Sequence, residues 1–141
     1  SHASRSFMFS ASLPPASTAS ALAALKIMKT DSSFNEKLWE NTHYAIEKIK
    51  ACGLDIGNSE TPIIPIYIRD SFKTFKVAKK LFENGIYVNP VVAPAVKDSD
   101  ALLRFSLTSA HNKEQISYAV EEIARTVEYY TKQLNGNVYI D

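Results

Sequence analysis

The side chains able to do chemistry are few, and one stands apart. Arg104 lies in the run Leu102-Leu103-Arg104-Phe105-Ser106-Leu107-Thr108. Side chains alternate across a strand, so Leu103, Phe105 and Leu107 would share a core face. Leu102, Arg104, Ser106 and Thr108 would share the other. A guanidinium is a rigid fork that matches a carboxylate bidentately, so Arg104 on this hydroxyl-bearing face could hold a substrate carboxylate. On spacing alone the more ordinary reading is a partly exposed arginine paired with Asp98 or Asp100, a common and weak arrangement. The histidines offer less. His2 is terminal, His43 sits mid-helix among polar neighbours, and His111 precedes Asn112 at a helix start, where a local structural role is expected. No two of them have metal-ligand spacing on one element. Cys52 falls on the inner face of an expected helix and reads as a buried structural thiol. No serine has a G-x-S-x-G setting, and the four scattered glycines form no phosphate loop. On residue types alone, the chain carries part of a site and no complete catalytic apparatus.

Four helices and three strands would position these groups. Pro14-Pro15 suits a first helical turn, opening a helix to about Lys29 that holds five alanines from Ala16 to Ala24. That composition fits plain helix propensity or a face packed tightly against structure outside the chain. Ser33-x-x-Glu36 is a capping-box pattern for a second helix with Phe34, Leu38, Ala45, Ile49 and Cys52 on one face, widened by Trp39 and Tyr44 and stopped at Gly53. Thr61 to Arg69 reads as a strand whose Pro62 and Pro65 favour an edge or a bulge. Ser71 would cap a third helix, with Phe75, Ala78, Leu81 and Phe82 inward and Gly85 at its end. Ile86 to Asn89 is a short strand, followed by a proline-punctuated loop, NPVVAPAVKDSD, and the Arg104 strand from Leu102 to Thr108. Asn112-x-x-Gln115 starts the last helix. Its inner face is Ile116, Ala119 or Val120, Ile123, Val127 and Leu134, and Gly136 ends it. A small mixed or antiparallel sheet of about three strands, covered on one side by helices, buries all these apolar faces. The expected class is α+β, an α/β sandwich.

Composition excludes several classes. The 141 residues suit one domain. Sixteen basic and fifteen acidic residues leave a net charge of +1, which argues against a nucleic-acid binder working through a basic face. No apolar run approaches a membrane span. One cysteine excludes an internal disulfide framework. The start, Ser1-His2-Ala3-Ser4-Arg5, lacks an apolar signal region and an initiator methionine, which points to a cytoplasmic protein and a cut or processed piece.

Several stretches carry a resemblance. RSFMFSASLPPA at Arg5 to Ala16, SETPIIPIYI at Ser59 to Ile68, GIYVNPVVAPAV at Gly85 to Val96 and LLRFSLTSAHNKEQI at Leu102 to Ile116 occur in order over essentially the whole chain. Together they resemble the C-terminal part of the α-oxoamine synthases. These are pyridoxal-phosphate enzymes that condense an amino acid with an acyl-CoA and release carbon dioxide. NPVVAPAV followed by LLRFSL is most similar to the bacterial serine palmitoyltransferase branch. The 8-amino-7-oxononanoate synthase and 2-amino-3-ketobutyrate CoA ligase branches share much of the pattern. The resemblance implies the C-terminal small domain of a fold-type I pyridoxal-phosphate enzyme over 31–141, with 1–30 continuing from a large domain. It implies that Arg104 binds the carboxylate of the amino-acid substrate, L-serine in that branch with palmitoyl-CoA as acyl donor, in sphingolipid biosynthesis. It also implies that Ser10, preceded by Phe9, reaches the cofactor phosphate of a neighbouring subunit in a homodimer.

Two departures limit the carry-over. Several members of that family have an arginine just before the prolines of the loop that here reads Val91-Val92-Ala93-Pro94; its role has no residue here, and an apolar loop is compatible with an acyl path. The family's cofactor-linking lysine lies upstream of F-x-F-S, as do the histidine that stacks on the ring and the aspartate that pairs with the pyridinium nitrogen. No lysine of this chain occupies that motif, so the chain alone is expected to be inactive. A free-standing ligand-binding α+β module is the competing reading, one that rests on fold analogy alone.

Overall fold

Proline placement explains the order of the sheet. The computed structural model describes residues 7–8 and 32–135. Its elements are β1 (Phe7–Met8), α1 (Ser32–Ala51), β2 (Ile63–Tyr67), α2 (Ser71–Glu83), β3 (Ile86–Tyr87), β4 (Asn89–Val91), a 3-10 turn (Asp98–Asp100), β5 (Leu102–Ser106) and α3 (Lys113–Asn135). The main sheet is antiparallel in the order β2-β5-β4. Pro65 and Pro90 lie in the two outer strands and the proline-free β5 lies in the centre. A proline has no N–H for a ladder, so an edge is where it does least harm. β1 and β3 pair in parallel as a separate two-stranded sheet. The single strand expected at Ile86 to Asn89 is therefore two short strands separated by Val88, and the expected loop begins as β4.

One face of the main sheet is closed by the helices. Ile64, Ile66, Leu103 and Phe105 are fully buried there with Ala45 and Ile49 of α1, Val77 and Leu81 of α2, and Ile116, Ala119, Val120 and Ile123 of α3. α3 packs against both α1 and α2. The expected α+β architecture forms.

The helix ends show local chemistry at work. α1 begins at Ser32, one residue ahead of the expected cap at Ser33. It closes in a Schellman turn: Leu54 N–H donates to Ile49 C=O and Gly53 N–H to Lys50 C=O, with Gly53 at φ 78°. Cys52 lies in this turn, past the last helical residue, and is exposed instead of buried on the helix face. α2 is capped by Asp70 and not by Ser71: the Asp70 carboxylate accepts from Lys73 N–H at 2.8 Å. The backbone sets the shift: Asp70 has the extended conformation of a cap, φ −158°, and Ser71 is already the first helical residue. α3 starts with the expected reciprocal box, in which Gln115 N–H donates to Asn112 Oδ1 at 2.8 Å and Asn112 N–H to Gln115 Oε1 at 3.0 Å. The inner face of α2 is Thr74, Val77, Ala78 and Leu81. Phe75 and Phe82, expected inward, are 61% and 63% exposed, and Trp39 of α1 also faces outward. The expected helix from Pro14, its alanines, His2, Gly136 and the side chain of Leu134 lie outside the described residues.

Candidate carboxylate-binding face

Arg104 is centred on the second face of the sheet. In the ladder it stands opposite Pro65 of β2 on one side and Asn89 of β4 on the other. Cross-strand partners share a face, so Ile63, Pro65, Tyr67, Asn89, Val91, Leu102, Arg104 and Ser106 make one surface. Most of it is partly open, with Ile63 exposed and Arg104 half-buried, while Ser106 is buried. Phe105 and Leu103, on either side of Arg104 in sequence, are locked in the core, so the strand cannot rotate without unburying them.

The surface-pair alternative for Arg104 does not form. Asp98 Oδ1 accepts from Ser71 N–H at 2.8 Å at the start of α2. That backbone bond, with help from the Ser71 side chain, holds the Asp98 carboxyl below its ordinary value. Asp100 Oδ1 is 3.9 Å from Arg69 Nη1. Arg69 is the arginine of the charge cluster: its Nη2 donates to Asp55 Oδ2 at 3.0 Å and its guanidinium sits 4.6 Å over the Tyr67 ring. The Gly57 N–H, first, and then Arg69 lower the Asp55 carboxyl. Among the described residues no carboxylate lies within ion-pair distance of Arg104. Two residues along the same face, Ser106 is 3% exposed and its Oγ has no hydrogen-bond partner among the described residues. A half-buried arginine with no carboxylate partner among the described residues suits an anionic ligand.

The neighbouring elements hold this face in place. The β4–β5 loop is tied to α2 by Ala93 N–H donating to Ser71 Oγ at 3.0 Å and by the Asp98 bond. Beyond β5, Asn41 of α1 is fully buried and its Nδ2 donates to the carbonyls of Thr108 and His111, each at 2.8 Å. His111 is buried, and its Nδ1 accepts from Thr108 N–H at 3.0 Å, the local role expected for it. His43 is exposed. Asn41 escaped the sequence reading, although a polar residue between Leu38 and Ala45 on an apolar stripe is the signal that marks it.

Phe9 and Ser10 lie outside the described residues, so Arg104 is the one proposed contact that the structure describes. No lysine stands on the Arg104 face among the described strand residues. The face therefore suits a substrate carboxylate and does not itself supply an attachment point for pyridoxal phosphate. Among the described residues, no three His, Cys, Asp or Glu gather closely enough to hold a metal ion. No helix among them is long and apolar enough to cross a membrane.

A small antiparallel sheet with helices on one face and an arginine on the other is an α+β domain, and comparison with known proteins places it as the small domain of the fold-type I pyridoxal-phosphate class. The family model for aminotransferase class I and II matches residues 1–123, and the chain belongs to that family. It is 50% identical over 124 residues to serine palmitoyltransferase of Sphingobacterium spiritivorum, covering 88% of this chain and 31% of that protein. A high-resolution structure of serine palmitoyltransferase with pyridoxal phosphate superposes with a TM-score of 0.73 at 26% identity, covering 87% of this chain and 31% of the other. The 8-amino-7-oxononanoate synthase of Francisella tularensis superposes with a TM-score of 0.67 at 30% identity, covering 85% and 35%. The chain spans about a third of the length of these relatives, which are all α-oxoamine synthases.

Proposed function

We propose that this chain is the C-terminal part of a pyridoxal-phosphate-dependent acyltransferase that condenses an amino acid, L-serine, with an acyl-CoA, palmitoyl-CoA, with loss of carbon dioxide. Residues 31–141 are its small domain, and 1–30 connect to the large one. The observation that carries the reading is Arg104: half-buried, fixed by core neighbours, and without a described carboxylate partner. Its fork holds the substrate carboxylate and so orients the bond that carries it. Pyridoxal phosphate, when bound, supplies the electron sink for breaking bonds at the amino acid's α-carbon. Ser10 and Phe9 are proposed to contact its phosphate across a homodimer, in the cytoplasm. The lysine that attaches the cofactor lies outside this chain, and the chain alone is inactive.

The experiment is a substrate panel on the full-length protein: serine with palmitoyl-CoA, alanine with pimeloyl-CoA, and glycine with acetyl-CoA. Carbon dioxide release with the first pair supports the reading. Turnover confined to the second pair assigns the chain to the 8-amino-7-oxononanoate branch, represented by a relative from Alkaliphilus oremlandii at 40% identity over 128 residues. No turnover with any pair contradicts the acyltransferase assignment.

A further inference from the structure

The outward face of α2 carries a pattern that substrate binding at Arg104 does not use. With Thr74, Val77, Ala78 and Leu81 turned into the core, Phe72, Phe75 and Phe82 are left 55%, 61% and 63% exposed. At about 100° per residue, these rings and Lys79 fall within an arc of about 80°, with Lys76 next to it on the Phe72 side; Lys80 lies further round, its ammonium 3.9 Å from the Glu83 carboxylate. The Lys76 ammonium lies 5.5 Å from the centre of the Phe72 ring. Glu83, at the last position, is the single acidic residue within α2. A shallow groove of about 480 Å³ runs from Phe72, Phe75, Lys76 and Lys79 to Val92 and Ala93 of the β4–β5 loop. That loop is uncharged from Asn89 to Val96, and Ala93, Pro94 and Ala95 are exposed. The Ala93–Ser71 hydrogen bond pins it beside α2. A chain with a net charge of +1 thus gathers lysines, exposed phenylalanines and an uncharged loop on one side.

We infer that this face docks on an anionic lipid bilayer, with Phe72, Phe75 and Phe82 entering the boundary between headgroups and acyl chains and Lys76 and Lys79 meeting lipid phosphates. Charge decides between a bilayer and a protein partner. The buried centre of a protein interface is depleted in lysine, and lysines set among these rings would be desolvated there. At a bilayer, long lysine side chains keep their ammonium groups at the phosphate level while the rings go deeper. Anionic headgroups also attract each nearby lysine. The α2 rings lie on the helix-covered side of the sheet, opposite Arg104, and docking needs no catalysis to be tested.

The test is co-sedimentation of the full-length protein with vesicles of phosphatidylcholine alone, or of phosphatidylcholine with phosphatidylglycerol, at low and high salt. The expected result is binding to the anionic vesicles at least about tenfold stronger than to the neutral ones, weakening with salt. Phe72→Ser with Phe75→Ser should reduce binding about tenfold or more, and Lys76→Glu with Lys79→Glu should remove the preference for anionic lipid. Turnover of a short, water-soluble acyl-CoA in the same variants separates this inference from the acyltransferase reading: lost vesicle binding with retained turnover supports docking. Wild-type protein that ignores anionic vesicles overturns it, as do phenylalanine variants that bind as well as wild type. Phenylalanine substitutions that change only the oligomeric state identify a protein interface and also overturn it.

Discussion

The two faces of the β2-β5-β4 sheet are built by the same three strands and differ in what closes them. On one, Ile64, Ile66, Leu103 and Phe105 meet three helices and lose all contact with solvent. On the other, Arg104 lies between Pro65 and Asn89, Ile63 is exposed, and Ser106 Oγ is buried without a partner among the described residues. The first face is closed by the described residues, whereas on the second the Arg104 guanidinium has no carboxylate partner among them. A strand that must be rigid to aim one side chain gains that rigidity from its opposite side: Leu103 and Phe105 fix the plane from which Arg104 projects.

Substitutions on the two faces should separate stability from ligand binding. The largest loss of stability is expected for Phe105→Ala, about 3–5 kcal/mol for a buried ring replaced by a cavity, read as a lower denaturant midpoint. Asn41→Ala removes both bonds from α1 to the turn after β5 and should cost about 2 kcal/mol. Its effect on substrate affinity should be smaller than that of any change at Arg104. Asp70→Ala removes the α2 cap and should cost about 1 kcal/mol, leaving the second face unchanged. Acid should have the mildest effect. Asp98 and Asp55 titrate lower in the folded protein than their ordinary value of 3.8. Their contribution is therefore complete above that value and is lost as the pH falls through the lower folded values. Asp98→Asn should flatten the acid limb of a thermal-melt series.

Much of this comparison was legible in the chain itself, and the misses have physical causes. The alternation Leu103-Phe105-Leu107 against Arg104-Ser106 gave both faces of β5 and the residue after it, and Pro65 marked β2 as an edge strand. The stop at Gly53 and the Asn112–Gln115 box were local chemistry, visible in a few residues. The inner face of α2 was misread because two phenylalanines drew the stripe towards themselves, when the buried arc includes Thr74, whose hydroxyl satisfies itself on the Asp70 carbonyl at 2.7 Å. Cys52 followed the helical period one residue past the point where the helix ends. The division of one strand into β3 and β4 depends on β1, a pairing partner nearly eighty residues away in sequence, and no local pattern encodes it. At the site, the type and face of Arg104 were readable. That Asp98 and Asp100 are engaged elsewhere was not, because it depends on how the loop docks against α2 and Arg69.

The most direct test of the account is equilibrium binding of L-serine to the full-length protein, carried out beside a thermal melt, for wild type and Arg104→Ala. The account expects affinity to fall roughly 30-fold or more, as when one member of a hydrogen-bonded charge pair is truncated, with the melting temperature almost unmoved. Unchanged serine affinity, or a loss of affinity matched by a collapse in melting temperature, would contradict it.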